Sequence, residues 1–330
     1  MMTVPPTPSD IQAAVAALRR GEVIGLPTET VYGLAADAGN VDAVRRIFAL
    51  KGRPADHPLI VHIADAADLP FWTTGASPLA ARLARAFWPG PLTLILPRGA
   101  RVPDVVTGGQ DTVGLRCPAH PVALAVLREF GGGLAAPSAN RFGRISPTSA
   151  AHVREEFPSG VDIVLDGGDC EIGIESTILD LSSGEPRILR PGRITRAQIE
   201  AQIGPVAQDT SEHSPRVSGT LDAHYAPRTP MLVLPRQALE HEAAEQRAFG
   251  KKVSVLAIDS LPMDLPGLTL PGDARSFAHG LYAALRQLDA TGEHLLLVER
   301  PPESADWLAV NDRLRRSAAG AGAGGNDDSP

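Results

Sequence analysis

Only two cysteines occur in the 330 residues, Cys117 and Cys170, and neither stands in a C-x-x-C or other metal-ligand spacing. That argues against a disulfide scaffold and against a structural zinc. Lysine is also scarce. Of 31 basic residues only Lys51, Lys251 and Lys252 are lysine, so the first 250 residues use arginine at every basic position but one. No G-x-x-x-x-G-K-[ST] loop is present, no G-x-G-x-x-G follows a strand pattern, and no G-x-S-x-G elbow offers an activated serine. His57 and His62 are five apart, which does not match the one-face pair of a zincin helix. The start, "MMTVPPTPSD", lacks the basic-then-apolar pattern of a secretory signal, and no uninterrupted apolar run reaches about 18 residues. A cytoplasmic protein with no membrane segment is expected. The formal net charge of -7 argues against a protein that coats nucleic acid and leaves room for a local basic cleft.

What is present reads as an ordinary globular chain: 43% hydrophobic, 21% charged and long enough for two cores. Ser9-Asp10 before "IQAAVAALRRG" reads as an N-cap, an amphipathic helix and a closing glycine. "EVIGLPT" follows as a strand, "VDAVRRIFALKGR" as a helix ending near Lys51, "PLIVHIAD" as a buried strand and "SPLAARLARAFW" as a helix. "LTLILPR", "TVGLRCP" and "GGLAAPSAN" read as strands, with helix "PVALAVLREFG" between the last two. "VDIVLDGG", "STILDLS" and "PRILRPG" add three more. This order implies an α/β or α+β sheet with helices packed on it. Around "PVAQDTSEHSPRVSGTLDAHYAPRTP" periodicity gives way to polar residues, Gly and Pro, the composition of a linker. "MLVLP", "KVSVLAID", "FAHGLYAALRQLDA", "HLLLVERP" and "WLAVNDRLRRSA" then alternate strand and helix as a smaller α/β domain with a parallel sheet. The terminal "AAGAGAGGNDDSP" buries no apolar surface and is expected to be disordered. The boundaries so read are 1–205, a linker at 206–228, 229–317 and a tail at 318–330.

Polar groups interrupt the apolar strands of the first domain at several places. "PTETVYG" puts Thr28, Glu29, Thr30 and Tyr32 inside a segment that otherwise reads as core. "KGRPADHPLIVH" carries Lys51, Arg53 and His62. "TVGLRCP" has Thr112 and Arg116 four apart on one strand and therefore on one face. "APSANRFGRISPTS" is rich in small hydroxyl and amide groups, and Ser176 and Arg190 lie in "ESTILD" and "RILRPGR". Taken singly, each has a plain reading: a surface lysine offsetting a helix dipole, a core histidine, an ordinary turn. Their recurrence is costly unless they line one wet cavity, and the mixture of Lys, Arg, Ser, Thr and Asn suits phosphate and carboxylate ligands. From residues alone the reading stops at an anion-binding α/β enzyme that works by positioning.

"LPTETVYGLAADA", "KGRP…HPLIVHI", "PGPLTLIL", "TVGLRCPAH", "APSANRFGRISPT", "IESTILDL" and "ILRPG" together resemble the L-threonylcarbamoyladenylate synthase family, built on the YrdC-like domain. They cover about the first 195 residues, and "HYAP" with the following domain resembles the long, two-domain form. The resemblance implies a twisted YrdC-like α/β sheet with a concave anion-binding cleft, plus a smaller Rossmann-like domain. It implies a nucleotidyltransferase that makes L-threonylcarbamoyl-AMP from L-threonine, bicarbonate or CO2 and ATP, with Mg2+ carried by the ATP and no protein metal site. Partner proteins would then transfer the threonylcarbamoyl group to tRNA adenosine. By motif, Lys51, Arg53, Ser138 and Asn140 match the K-x-R and S-x-N signatures that hold the triphosphate, with Lys51 and Arg53 in the catalytic role. Thr112, Ser146 and Arg190 match further ATP contacts, and Tyr225 matches a linker residue that folds over the nucleotide. Thr28, His62, Arg116 and Ser176 match the threonine pocket, with Arg116 facing the substrate carboxylate. The linker departs from the family's "KYRHYAP"-like run, since Leu221 and Ala223 stand where Lys and Arg are usual. A YrdC-like RNA-binding or ribosome-maturation factor without synthase activity is the alternative, and direct tRNA contact stays open.

Overall fold

The structure is a computed structural model that describes residues 5–75, 77–207, 214–262 and 264–322. Within them the chain divides into two compact units, Met1–Phe142 with Pro147–Thr220, and Gly143–Ser146 with Leu221–Pro330. The division falls inside the stretch that composition marks as a linker, of which 208–213 lie outside the described residues.

The first unit carries eight described strands: β1 (Ile24–Leu26), β2 (Gly33–Asp37), β3 (Ile60–His62), β4 (Leu92–Pro97), β5 (Thr112–Arg116), β6 (Leu134–Ala135), β7 (Thr177–Asp180) and β8 (Arg187–Arg190). They form one mixed sheet in the order β1-β2-β6-β3-β5-β4-β7-β8. Pairs β3·β5 and β4·β7 are parallel and the rest antiparallel. The parallel register sets His62 beside Arg116. Helices cover the sheet because their apolar residues recur at helical spacing. Val44, Ile47 and Phe48 of helix Val41–Lys51 join Leu34, Val61, Leu94 and Leu115 in the main core. Helices Pro8–Arg19 and Pro121–Phe130 pack Leu18, Val126 and Leu127 onto Ile24, Leu26 and Leu134 in a second cluster.

Helix Val41–Lys51 begins at Asn40, whose side chain accepts from the Asp42 and Ala43 amides, and stops at Gly52 in the left-handed region (φ 61°). That stop places Lys51 on the last turn. The first helix is capped two residues earlier than expected: Thr7, not Ser9-Asp10, is the N-cap, and it closes a capping box with Asp10. "VDIVLDGG" is not a strand. Only Val164 bridges Gly25, with the Gly25 amide donating to Ile163 O and the Leu165 amide to Gly25 O, because β1 offers just three residues to pair with. "GGLAAPSAN" contributes only Leu134–Ala135, since Pro137 has no amide to extend the ladder.

In the second unit β9 (Met231–Leu234), β10 (Val253–Ile258), β11 (Gly267–Leu270) and β12 (Leu295–Glu299) form a parallel sheet in the order β11-β10-β12-β9. Helices Arg236–Ala248, Ala274–Asp289 and Leu308–Gly320 accompany it. The parallel sheet is as expected; β11 and helix Arg236–Ala248 were not read from the sequence. The tail expected from 318 begins as helix, and Gly320 explains why: a Cβ there would lie 2.9 Å from the Ala226 Cβ, so the last turn packs closely. Residues 323–330 of that tail lie outside the described residues.

Candidate active site

After β1 the chain bends at Glu29, Thr30 and Val31, and the Thr28 side chain holds the bend. Its hydroxyl donates to Val31 O at 2.6 Å and accepts from the Thr30 and Val31 amides at 3.2 and 3.3 Å. Because that proton is committed, the 2.9 Å contact between the Thr28 and Thr30 hydroxyls has Thr30 as donor. Thr30 Oγ1 in turn accepts from Arg116 Nη1 at 2.9 Å. Glu29, between them, is buried and accepts from Arg116 Nη2 at 2.6 Å. Arg116 Nε donates to Gly90 O at 3.3 Å. Gly90 is required at that place, since a Cβ would stand 2.2 Å from Phe87 O. Three acceptors from two segments thus hold one buried guanidinium.

His62, on the neighbouring strand, is buried, and its Nδ1 meets no hydrogen-bond partner among the described residues. Burial, helped by the Arg116 charge, depresses its pKa to about 3, so the ring is neutral at pH 7. Ser176 precedes β7; its hydroxyl lies 2.8 Å from that of Thr93 and its carbonyl accepts from Arg190 Nε and Nη2. Arg190 Nη2 also donates to Ser176 Oγ at 3.2 Å.

Lys51 is not a surface residue: it is 3% exposed. Its ammonium donates to Ser138 O and Asn140 O, both at 2.5 Å, so the K-x-R and S-x-N segments are joined by main-chain carbonyls. Burial, reinforced by the Arg53 charge, holds its pKa well below the ordinary lysine value. Arg53 Nη2 donates to Pro58 O and Ser218 Oγ, and Arg190 Nη1 to Ser218 O at 2.9 Å. Segment Arg216–Ser218 is therefore part of this site. The Arg216 amide donates to Gln110 Oε1, and Val217 packs on Ile95, Ile178 and Leu189. Arg216, Val217 and Ser218, with Ile95, Gln110, Thr112 and Ile178, line a cleft in which only about 10 Å³ stays open.

The first unit accordingly brings together Thr28, Lys51, Arg53, His62, Thr112, Arg116, Ser138, Asn140, Ser176 and Arg190. Ser146 and Tyr225 fall in the second unit. There the carbonyls of Ile145 and Ser146 accept from Arg286. Tyr225 is buried in the left-handed region (φ 60°), stacked on Tyr282 and under Arg313, with its carbonyl accepting from Ser317 Oγ at 2.9 Å. Sequence reasoning singled out Glu29 and Thr30 without giving either a role, and passed over Gly90 and Ser218. For Glu29 a signal existed, a carboxylate inside an apolar segment; for Ser218 none did.

Residues 16–192 match a family model described as "Telomere recombination", the Sua5/YciO/YrdC model. Residues 194–319 match "Threonylcarbamoyl-AMP synthase, C-terminal domain". The threonylcarbamoyl-AMP synthases of Pyrococcus abyssi and Bacillus subtilis are each 41% identical to the chain, over 93% and 94% of it and 94% and 93% of their own lengths. A crystal structure of P. abyssi Sua5 complexed with L-threonine superposes with a TM-score of 0.88 at 40% identity, covering 94% of each chain. The chain belongs to the threonylcarbamoyl-AMP synthase family, in its two-domain form.

Proposed function

We propose that the first unit condenses L-threonine, bicarbonate or CO2 and ATP into L-threonylcarbamoyl-AMP, releasing pyrophosphate and, from bicarbonate, water. This is the first step in forming N6-threonylcarbamoyladenosine in tRNA. The observation that carries the reading is the gathering of four buried cations, Lys51, Arg53, Arg116 and Arg190, in one unit beside a neutral histidine and the Thr28, Thr30 and Ser176 hydroxyls. Cations so buried suit small anions and cannot line up on an exposed RNA backbone, which disfavours the RNA-binding alternative for these residues.

In this reading Arg116 receives the substrate carboxylate, and His62, Ser176 and the Thr28–Thr30 pair surround the rest of the amino acid. Lys51, Arg53, Ser138, Asn140, Thr112 and Arg190 hold the nucleotide. The carbamate oxygen of carboxylated threonine attacks the α-phosphorus and pyrophosphate leaves. No protein nucleophile is needed, and the side chains align the reactants and stabilise charge on the phosphates. Ser218 must first leave Arg53 and Arg190, freeing their donors for phosphate oxygens.

Mg2+ would arrive with ATP and offset phosphate charge. The residues assigned to the nucleotide are cations and neutral donors, which fit a phosphate chain and leave the ion to phosphate oxygens; among the described residues no three His, Cys, Asp or Glu side chains cluster as ligands. No helix among the described residues is long and apolar enough to cross a membrane, and we place the reaction in the cytoplasm. The product, a mixed anhydride, requires a transferase protein to consume it. Mass spectrometry of the products, with each substrate omitted in turn and valine in place of threonine, tests the reading. A threonine- and bicarbonate-dependent adduct of AMP is expected, and far less with valine, because a site built to bond a hydroxyl rejects the analogue lacking it. ATP turnover independent of threonine would overturn it.

A further inference from the structure

Two sets of hydrogen-bonding groups in the amino-acid pocket are left over once every described contact is counted. A guanidinium has five N–H donors. Arg116 spends one from Nε on Gly90 O, one from Nη1 on Thr30 and one from Nη2 on Glu29. One N–H on each terminal nitrogen remains. Glu29 spends Oε1 on Arg116, while Oε2, buried, has no partner among the described residues. The Glu29 side chain is 7% exposed, so water does not readily satisfy that oxygen.

We propose that Glu29 is the specificity-determining acceptor for the α-ammonium of the amino-acid substrate, taking it on Oε2. The inference rests on the reading that Arg116 receives the substrate carboxylate. The free donors on Nη1 and Nη2 suit a two-point grip on a carboxylate. Yet Arg116 is already neutralised by Glu29, and a second carboxylate on the same cation places two anions side by side in a poorly solvated pocket. That arrangement is stable only if a cation lies between them. An α-amino acid brings one, bonded to the carbon that bears its carboxylate. Zwitterion and ion pair are then complementary, plus against minus at both ends. The backbone holds the acceptor in place, because Glu29 O accepts from the Ile172 amide at 2.8 Å and the adjoining Thr30 O from the Gly173 amide at 3.1 Å. The ammonium exists only before carboxylation, so the contact discriminates at binding more than in the chemical step.

The test is calorimetric titration of the full chain with L-threonine, with (R)-3-hydroxybutyrate, which lacks only the amino group, and with L-threoninol, which lacks the carboxylate. In the unaltered protein threonine should bind at least about tenfold tighter than 3-hydroxybutyrate. Glu29→Gln should weaken threonine by a similar factor and leave 3-hydroxybutyrate unchanged or tighter, closing the gap. In turnover the variant should raise KM for threonine more than it lowers kcat. Equal binding of threonine and 3-hydroxybutyrate to the unaltered protein overturns the inference however the variant folds. An equal loss for both ligands in Glu29→Gln also overturns it, leaving Glu29 only to orient Arg116. Threoninol binding as tightly as threonine instead overturns the Arg116 assignment, and the inference with it.

Discussion

Replacing Lys51 by methionine separates two functions of one ammonium. Methionine keeps an unbranched stem of similar length and removes the charge. In the native chain Nζ lies 2.5 Å from both Ser138 O and Asn140 O. Each buried carbonyl stripped of its donor costs about 1–3 kcal/mol. Part of that is returned, because burial and the Arg53 charge disfavour the charged form of the lysine in the folded chain. A net loss of about 1–3 kcal/mol is expected, or roughly 2–12 °C in Tm for a domain of this size. Loss of one charge-assisted contact to a phosphate, worth about 1.5–3 kcal/mol, lowers turnover by roughly 10- to 150-fold. Lys51→Arg should not rescue, since a planar fork cannot direct one compact donor at both carbonyls. Pyrophosphate release with threonine, bicarbonate and Mg-ATP reads the activity, and thermal unfolding without ligands reads the stability. A methionine variant that melts early but turns over within about twofold of normal would show that the ammonium only staples two segments together. An unchanged Tm would refute the stability arithmetic itself.

Two other outcomes follow from the same geometry. His62 has a folded-state pKa of about 3 against an ordinary 6.5, so below pH 6.5 the unfolded chain takes up a proton that the folded chain refuses. Its contribution is complete above pH 6.5 and is lost as pH falls from 6.5 towards 3, amounting to about 1.4 kcal/mol by pH 5.5. Urea unfolding at pH 7.5 and 5.5 should show a smaller pH dependence in His62→Gln, and identical dependence would remove His62 as the cause. The Arg216 amide, held by Gln110, should exchange its hydrogen faster when a non-hydrolysable ATP analogue binds, as Ser218 gives up Arg53 and Arg190. Slower exchange would mean that segment Arg216–Ser218 closes on the nucleotide without yielding its place.

Local pattern in the sequence settled most of the secondary structure, because a helix or strand is recognised by which neighbours within a few residues are apolar. Helices Val41–Lys51 and Pro121–Phe130, strands β4, β5 and β7, and the parallel sheet of the second unit were legible this way. So was the kind of chemistry, since cations and hydroxyls inside apolar strands demand a shared ligand. Short pairings failed, as in "VDIVLDGG", because periodicity does not say whether a partner strand is long enough to form a ladder. What only the tertiary structure decided is who meets whom. Lys51 finds carbonyls 87 and 89 residues away, Arg116 finds Glu29 at a separation of 87, and Arg53 finds Ser218 at 165. Nothing local in "KGR" says that its lysine is buried, and nothing in "VSG" marks a serine that two arginines share. Burial and long-range partners are properties of the packed chain. They determine which of the charged groups in the sequence become a pocket.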